Sequence, residues 1–133
     1  MPRSPLLICA LAALAIAAPA GADAASVYPH SSVLQAANYD VQVFGASTAT
    51  LQSGGGGDTA TLFDSAGDDR FDGYAGVSVL SGPGFANAAY GFARVYAYSE
   101  AGNDVANLYD SPGNDSLAAY PFGAILAGAG FVN

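Results

Sequence analysis

The sequence predicts an all-β protein, a parallel β-helix or β-roll solenoid built from 46-residue repeats, and three observations predict it. The chain matches itself at a shift of 46 residues, its apolar residues alternate in short runs, and Gly, Asn, Asp and Pro punctuate those runs. Composition agrees with a repeat architecture: 133 residues hold 17 Gly and are 52% hydrophobic but only 11% charged, an unusual balance for an ordinary globule.

The elements follow in chain order. Residues 1–24 carry Arg3, an apolar run from Leu6 to Ala18 and two small-residue cleavage patterns, Ala18-Pro19-Ala20 and Ala22-Asp23-Ala24. They read as a secretory signal peptide. The run is shorter than the roughly 20 apolar residues a membrane span needs, so the mature protein is expected to be secreted, extracellular or in the cell envelope. Cys9 lies inside that run, and no cysteine follows it. A disulfide-free exported domain must take its stability from packing or from a bound ion.

Residues 25–133 are repeat throughout. Asp58-Thr-Ala-Thr-Leu-Phe-Asp-Ser-Ala-Gly-Asp-Asp69 aligns without a gap on Asp104-Val-Ala-Asn-Leu-Tyr-Asp-Ser-Pro-Gly-Asn-Asp115. The same register pairs Leu80 with Leu126, Gly82 with Gly128, Phe85 with Phe131 and Asn87 with Asn133, and backwards it places Ser53 on Ser99. The units are a partial one (25–57), a complete one (58–103) and another partial one (104–133). Val41-Gln-Val43, Val77-Ser-Val79, Val95-Tyr-Ala97 and Ala106-Asn-Leu108 alternate with the period of a strand. Units that cannot bury an apolar face alone stack into a solenoid. Equivalent rings, Tyr28 with Tyr74 and Tyr120, or Tyr39 with Phe85 and Phe131, are then expected to form ladders.

Charge narrows the function. Three Arg and no Lys stand against 11 acids, a net charge of −8, which excludes the basic footprint of a nucleic-acid binder. His30 is the lone histidine and falls on Gly76 and Phe122 in the repeat register, so no repeated nucleophile–base pair or transition-metal site is available. A carboxylate pair, Asp68 or Asp69 with Asp72, is the residual catalytic arrangement, and the chain reads as a non-enzyme. Thr48 aligns with Arg94, which spoils a flat threonine array for ice or polysaccharide.

The acidic turns carry the chemistry. Ala66-Gly-Asp-Asp-Arg-Phe-Asp72 and Pro112-Gly-Asn-Asp-Ser-Leu-Ala118 fit x-G-x-D-x-U-x, part of the calcium-binding nonapeptide. Weaker copies lie 11 residues upstream, as Gly56-Gly-Asp-Thr-Ala60 and Gly102-Asn-Asp-Val-Ala106. In these motifs the chain resembles the haemolysin-type, or RTX-like, repeats of secreted bacterial proteins, in a divergent long-period form. The resemblance implies Ca²⁺ bound in turns between successive coils, with the ligand Asp on Asp69 and Asp115 and the turn glycine on Gly67 and Gly113. The family's leading Gly-Gly is replaced by Asp64-Ser65 and Asp110-Ser111. Asp64 and Asp110 are expected to add carboxylate oxygens, and Asp58 and Asp104 to contribute from neighbouring turns. The other reading of the same residues is a set of Asp/Asn-Gly turns satisfied by their own hydrogen bonds, without metal.

The sequence thus leads to a secreted or surface-associated structural module for adhesion, matrix or envelope, with Ca²⁺ as its cofactor. The alternative is a metal-free carbohydrate-binding solenoid that stacks extracellular polysaccharide on its tyrosines. Because residues 25 and 133 both fall inside a repeat, the chain is expected either to be part of a longer repeat protein or to stack head to tail with copies of itself.

Overall fold

A computed structural model describes residues 6–9, 14–17, 24–29, 31–36, 39–44, 47–55, 57–121 and 123–133. His30 lies outside the described residues. The elements are β1 (Leu6–Cys9), β2 (Leu14–Ala17), β3 (Ala24–Tyr28), β4 (Ser31–Ala36), β5 (Tyr39–Phe44), β6 (Thr48–Gln52), β7 (Thr59–Phe63) and β8 (Arg70–Tyr74). They continue as β9 (Val77–Gly82), β10 (Phe85–Tyr90), β11 (Arg94–Tyr98), β12 (Val105–Leu108), β13 (Ser116–Tyr120), β14 (Gly123–Gly128) and β15 (Phe131–Val132). The protein is all-β, and among the described residues no helix is long and apolar enough to cross a membrane.

The repeat is exact at the level of strands. Adding 46 to the bounds of β3, β4, β5 and β6 gives those of β8, β9, β10 and β11. Each unit consists of a three-stranded meander followed by two single strands. Short turns force the meander: Ala75-Gly76 joins β8 to β9 and Pro83-Gly84 joins β9 to β10, with Gly76 at φ 89° and Gly84 at φ 84°. Two-residue connections can join only antiparallel strands, and the β8–β9 and β9–β10 pairs are antiparallel.

The strands form two open mixed sheets, β1-β5-β4-β3-β7-β11-β15-β14-β13 and β12-β8-β9-β10-β6-β2. The parallel pairing expected of a solenoid joins β3 to β7 and β7 to β11, each 35 residues apart, and joins β12 to β8 at the same offset. Parallel pairs also join β1 to β5, β2 to β6, β6 to β10 and β11 to β15. The pairs within the meanders, β3–β4, β4–β5, β8–β9, β9–β10, β13–β14 and β14–β15, are antiparallel, so the sheets are mixed rather than the wholly parallel coils expected. Successive units change sheet: the 24–44 meander lies in the larger sheet, the 70–90 meander in the smaller one and the 116–132 meander in the larger one again. The reason is that a unit visits the sheets three times, an odd number, so the next unit starts on the opposite side. β1 and β2, from the segment expected to be cleaved, are end strands, one in each sheet. Their loss interrupts neither sheet.

The core lies between the sheets. β6 and β7 bury alternate residues, Ala49, Leu51, Ala60 and Leu62, against Phe71, Leu80, Phe85 and Val95, whereas in β9 the alternation read at Val77 and Val79 is out of phase, since Ser78 and Leu80 are the buried residues. Among the polar residues buried here, Asn87 accepts the Ala49 N–H on its side-chain oxygen at 3.1 Å and the Ser78 hydroxyl donates to Asn133 Oδ1 at 2.9 Å. Ring stacking also departs from expectation. It joins Phe63 to Tyr98 at 5.5 Å and Tyr74 to Tyr109 at 4.2 Å, both 35 residues apart, because parallel register rather than repeat equivalence sets which rings touch. Tyr28 and Tyr39 lie outside the described side chains.

Candidate metal centre

The connection from β7 to β8 is Asp64-Ser-Ala-Gly-Asp-Asp69, and its hydrogen bonds explain its composition. Asp69 Oδ2 accepts the Ser65 N–H at 2.7 Å and the Ser65 Oγ–H at 2.8 Å, while Ser65 Oγ accepts the Gly67 N–H at 3.1 Å. The next repeat builds the same turn: the Ser111 N–H and Oγ–H donate to Asp115, and the Gly113 N–H donates to Ser111 Oγ at 3.2 Å. Ser65 and Ser111 thus hold the carboxylates of Asp69 and Asp115 in place. A second kind of turn precedes β7 and β12. There Ser53 Oγ–H donates to Asp58, and Ser99 Oγ–H to Asp104, each at 2.5 Å.

Parallel stacking brings the two kinds of turn together. The Asp69 N–H donates to Asp104 Oδ1 at 3.0 Å, the Glu100 N–H to Asp64 Oδ1 at 2.9 Å and the Asn103 N–H to Asp68 Oδ1 at 2.8 Å. Gly102, at φ 120°, lets the second turn approach so closely that a side chain there would run into the Gly67 carbonyl.

The result is a group of three carboxylates, Asp64, Asp69 and Asp104, each offering an oxygen within 4.8 Å of the others. Asp64 and Asp69 are buried, at 5% and 4% exposure, and Asp104 is half-buried. Asp64 Oδ2 and Asp69 Oδ1 accept no hydrogen bond among the described residues. Burial, followed by the charges of Asp104 and Asp69, lifts the Asp64 carboxyl above its ordinary value, against the Glu100 N–H that lowers it. Asp104 is held below its ordinary value by the Ser99 hydroxyl and the Asp69 N–H. Two full charges at that separation repel by roughly 3 kcal/mol at an effective dielectric near 20. Buried carboxylate oxygens without donors are costly. A hard divalent cation answers both demands, since Ca²⁺ takes six to eight oxygens and favours carboxylates. The donor set therefore fits Ca²⁺, with Asp64, Asp69 and Asp104 as the residues that would hold it.

The other expected residues fall elsewhere. Asp58 is fully buried in the turn before β7, where its carbonyl accepts the N–H groups of Ala93 and Arg94. Asp110, Gly113 and Asp115 form the turn before β13, and no third carboxylate gathers there among the described residues. Of the carboxylates considered for catalysis, Asp69 belongs to the three-carboxylate group and Asp68 accepts the Asn103 N–H. Asp72 is bound by Arg70 at 2.7 and 2.9 Å and by Asn107 at 2.8 Å, and the Arg70 contact lowers its titration.

Sequence reasoning missed the glycines behind the site. A Cβ on Gly82 would overlap the Asp69 carboxylate, and one on Gly128 would overlap that of Asp115. The repeat register already pairs these two, and a glycine kept inside a strand signals close approach. Comparison of the chain with protein-family models, with curated proteins and with solved structures gives no match.

Proposed function

We propose that the protein is a secreted or surface-associated structural module whose repeat units stack as a solenoid, with Ca²⁺ bound between turns of successive coils, for adhesion, matrix or envelope. The observation that carries the reading is the Asp64–Asp69–Asp104 group, with two buried carboxylate oxygens that lack donors. An ion there ties the turn after β7 to the turn before β12, so its role is to lock two coils together. The reading includes head-to-tail self-association.

Isothermal titration of the chain, as the cell processes it, with CaCl₂ and with MgCl₂ tests this. Extracellular calcium modules bind at about 10⁻⁴–10⁻³ M, and a similar constant is expected. Saturation at 100-fold excess adds about 2.7 kcal/mol of stability. Asp104→Asn should weaken binding at least tenfold. No calcium-specific heat and no rise in melting temperature would overturn the reading.

A second reading, binding of extracellular polysaccharide, is favoured by the stacked Tyr74–Tyr109 pair, whose rings are each more than a third exposed. Aromatic faces stack on sugar rings. Glycan-array binding that Tyr74→Ala abolishes while the circular dichroism spectrum is kept would support it, and an array without signal would oppose it.

A further inference from the structure

We infer that Tyr74 and Tyr109 form an oxidative cross-linking site, at which two one-electron oxidations join their rings as dityrosine. The inference goes beyond the proposed function and takes from it only that the chain meets extracellular oxidants. Tyr74 ends β8, and Tyr109 directly follows β12, the parallel neighbour of β8. Gly73 stands opposite Leu108, and the Tyr109 N–H donates to the Gly73 carbonyl at 2.9 Å, so the register runs on through the two tyrosines. Residues at one register of a parallel pair point to the same face of the sheet. The side chains therefore leave the backbone side by side, and their rings stack with centroids 4.2 Å and planes 8° apart. The hydroxyls lie at the same end of the stack, where the hydrogen bond between them, followed by partial desolvation, holds the Tyr74 phenol above its ordinary value.

That alignment also brings the ortho carbons of the two rings to one end of the stack, and these are the carbons at which phenoxyl radicals couple. Prior positioning replaces the chance encounter that coupling otherwise requires. The step balances. Each phenol gives up the electron and proton of its O–H bond, the two radicals form a C–C bond between ortho carbons, and the two ortho protons move to the oxygens as the rings regain aromaticity. Hydrogen peroxide, turned over by a haem peroxidase, takes up the two electrons and two protons and leaves as water. Tyr74 is 38% exposed although β8 is hydrogen-bonded on both sides, to β9 and β12, so an oxidant reaches it.

The rest of the molecule sets this pair apart. Phe63 and Tyr98 stack across β7 and β11 in the same parallel manner but hold a single phenol, so among the described residues Tyr74 and Tyr109 are the one stacked pair that can couple. Cys9 is the lone cysteine of the chain, so no disulfide within it ties one coil to the next. The three carboxylates gather just before β12 and the tyrosines meet just after it, so the bond would secure the far end of the strand that the acidic turns hold at its start.

The test treats dilute chain, as the cell processes it, with hydrogen peroxide and a haem peroxidase in chelator, and follows dityrosine fluorescence, intact mass and peptide maps. The expected product is a monomer lighter by two hydrogen atoms, with the peptides of Tyr74 and Tyr109 joined. Its melting temperature should rise by about 10 °C, because the bond closes a long loop in the unfolded chain. Tyr74→Phe and Tyr109→Phe should each lower the yield about tenfold or more with the circular dichroism spectrum kept, and unfolding in urea before oxidation should do the same. No dityrosine, dityrosine joined instead through Tyr90 or Tyr96, a yield unchanged by both substitutions, or an equal yield from the unfolded chain would each overturn the inference. Coupling needs no ion, so an absence of calcium heat would sink the calcium reading and leave the cross-link standing, and the two proposals fail separately.

Discussion

Gly82 gives the sharpest test of how the acidic turn is built. In an unobstructed extended site Gly→Ala stabilises a protein by about 0.4–1 kcal/mol, because it restricts the unfolded chain. At Gly82 the added methyl group would overlap the Asp69 carboxylate and lie 2.7 Å from Phe85 Cε1. Overpacking of this kind costs about 1–3 kcal/mol. Moving Asp69 also strains its two bonds from Ser65, and hydrogen bonds to a charged group contribute about 1.5–3 kcal/mol each. Gly82→Ala should therefore destabilise by about 2–4 kcal/mol, opposite in sign to the intrinsic effect. Gly123, with nothing within 4 Å of a Cβ and no left-handed φ, is the control, and Gly123→Ala should be neutral or stabilising. Equilibrium urea unfolding in chelator, followed by far-ultraviolet circular dichroism, reads both. Because Asp69 causes the clash, the penalty should shrink by at least half in an Asp69→Ala background, a coupling of about 1–2 kcal/mol. The reasoning is refuted if Gly82→Ala is as stable as the parent, or if its penalty is the same with and without Asp69.

Three further outcomes are expected. Ser65→Ala and Ser111→Ala should each cost about 1–3 kcal/mol in urea unfolding, with Ser65 the larger, since Asp69 is buried and Asp115 only half-buried. Leu62→Ala, fully buried in the core, should cost about 2–5 kcal/mol, and Leu108→Ala, its half-buried repeat equivalent, less than half of that in thermal melts. The pH dependence has a definite sign. A carboxyl whose folded titration is raised binds more protons folded than unfolded, so Asp64 makes the chelated protein gain stability as pH falls from its raised value to the ordinary 3.8. Asp72 and Asp104 are lowered, and the stability they contribute is lost below pH 3.8. Urea midpoints against pH should show the gain in the parent and not in Asp64→Asn.

Much of this protein was legible in its amino-acid order. The shift that aligns Asp58 with Asp104 and Asp69 with Asp115 also maps strand onto strand, because equivalent positions repeat the same local demands: an alternating apolar face, a Gly turn, a Ser–Asp hydrogen bond. The acidic turns with Asp64 and Asp69, and the glycine at position 67, are read from the same order. What the repeat did not disclose is which positions touch. Identity at a shift of 46 marks residues in like surroundings, whereas contact at the acidic turns runs at 35, from Asp69 to Asp104 and from Tyr74 to Tyr109, and between β6 and β10 at 38. The intervals of 46 and 35 differ by the 11 residues that separate Asp58 from Asp69, the spacing between the two kinds of acidic turn within one unit. Only the tertiary structure decides that these turns interlock, since hydrogen bonds between parallel strands set the offset and two-residue turns impose the antiparallel meanders between them. Sequence determined the units and their chemistry, while the stacking of one unit on another determined the three-carboxylate site.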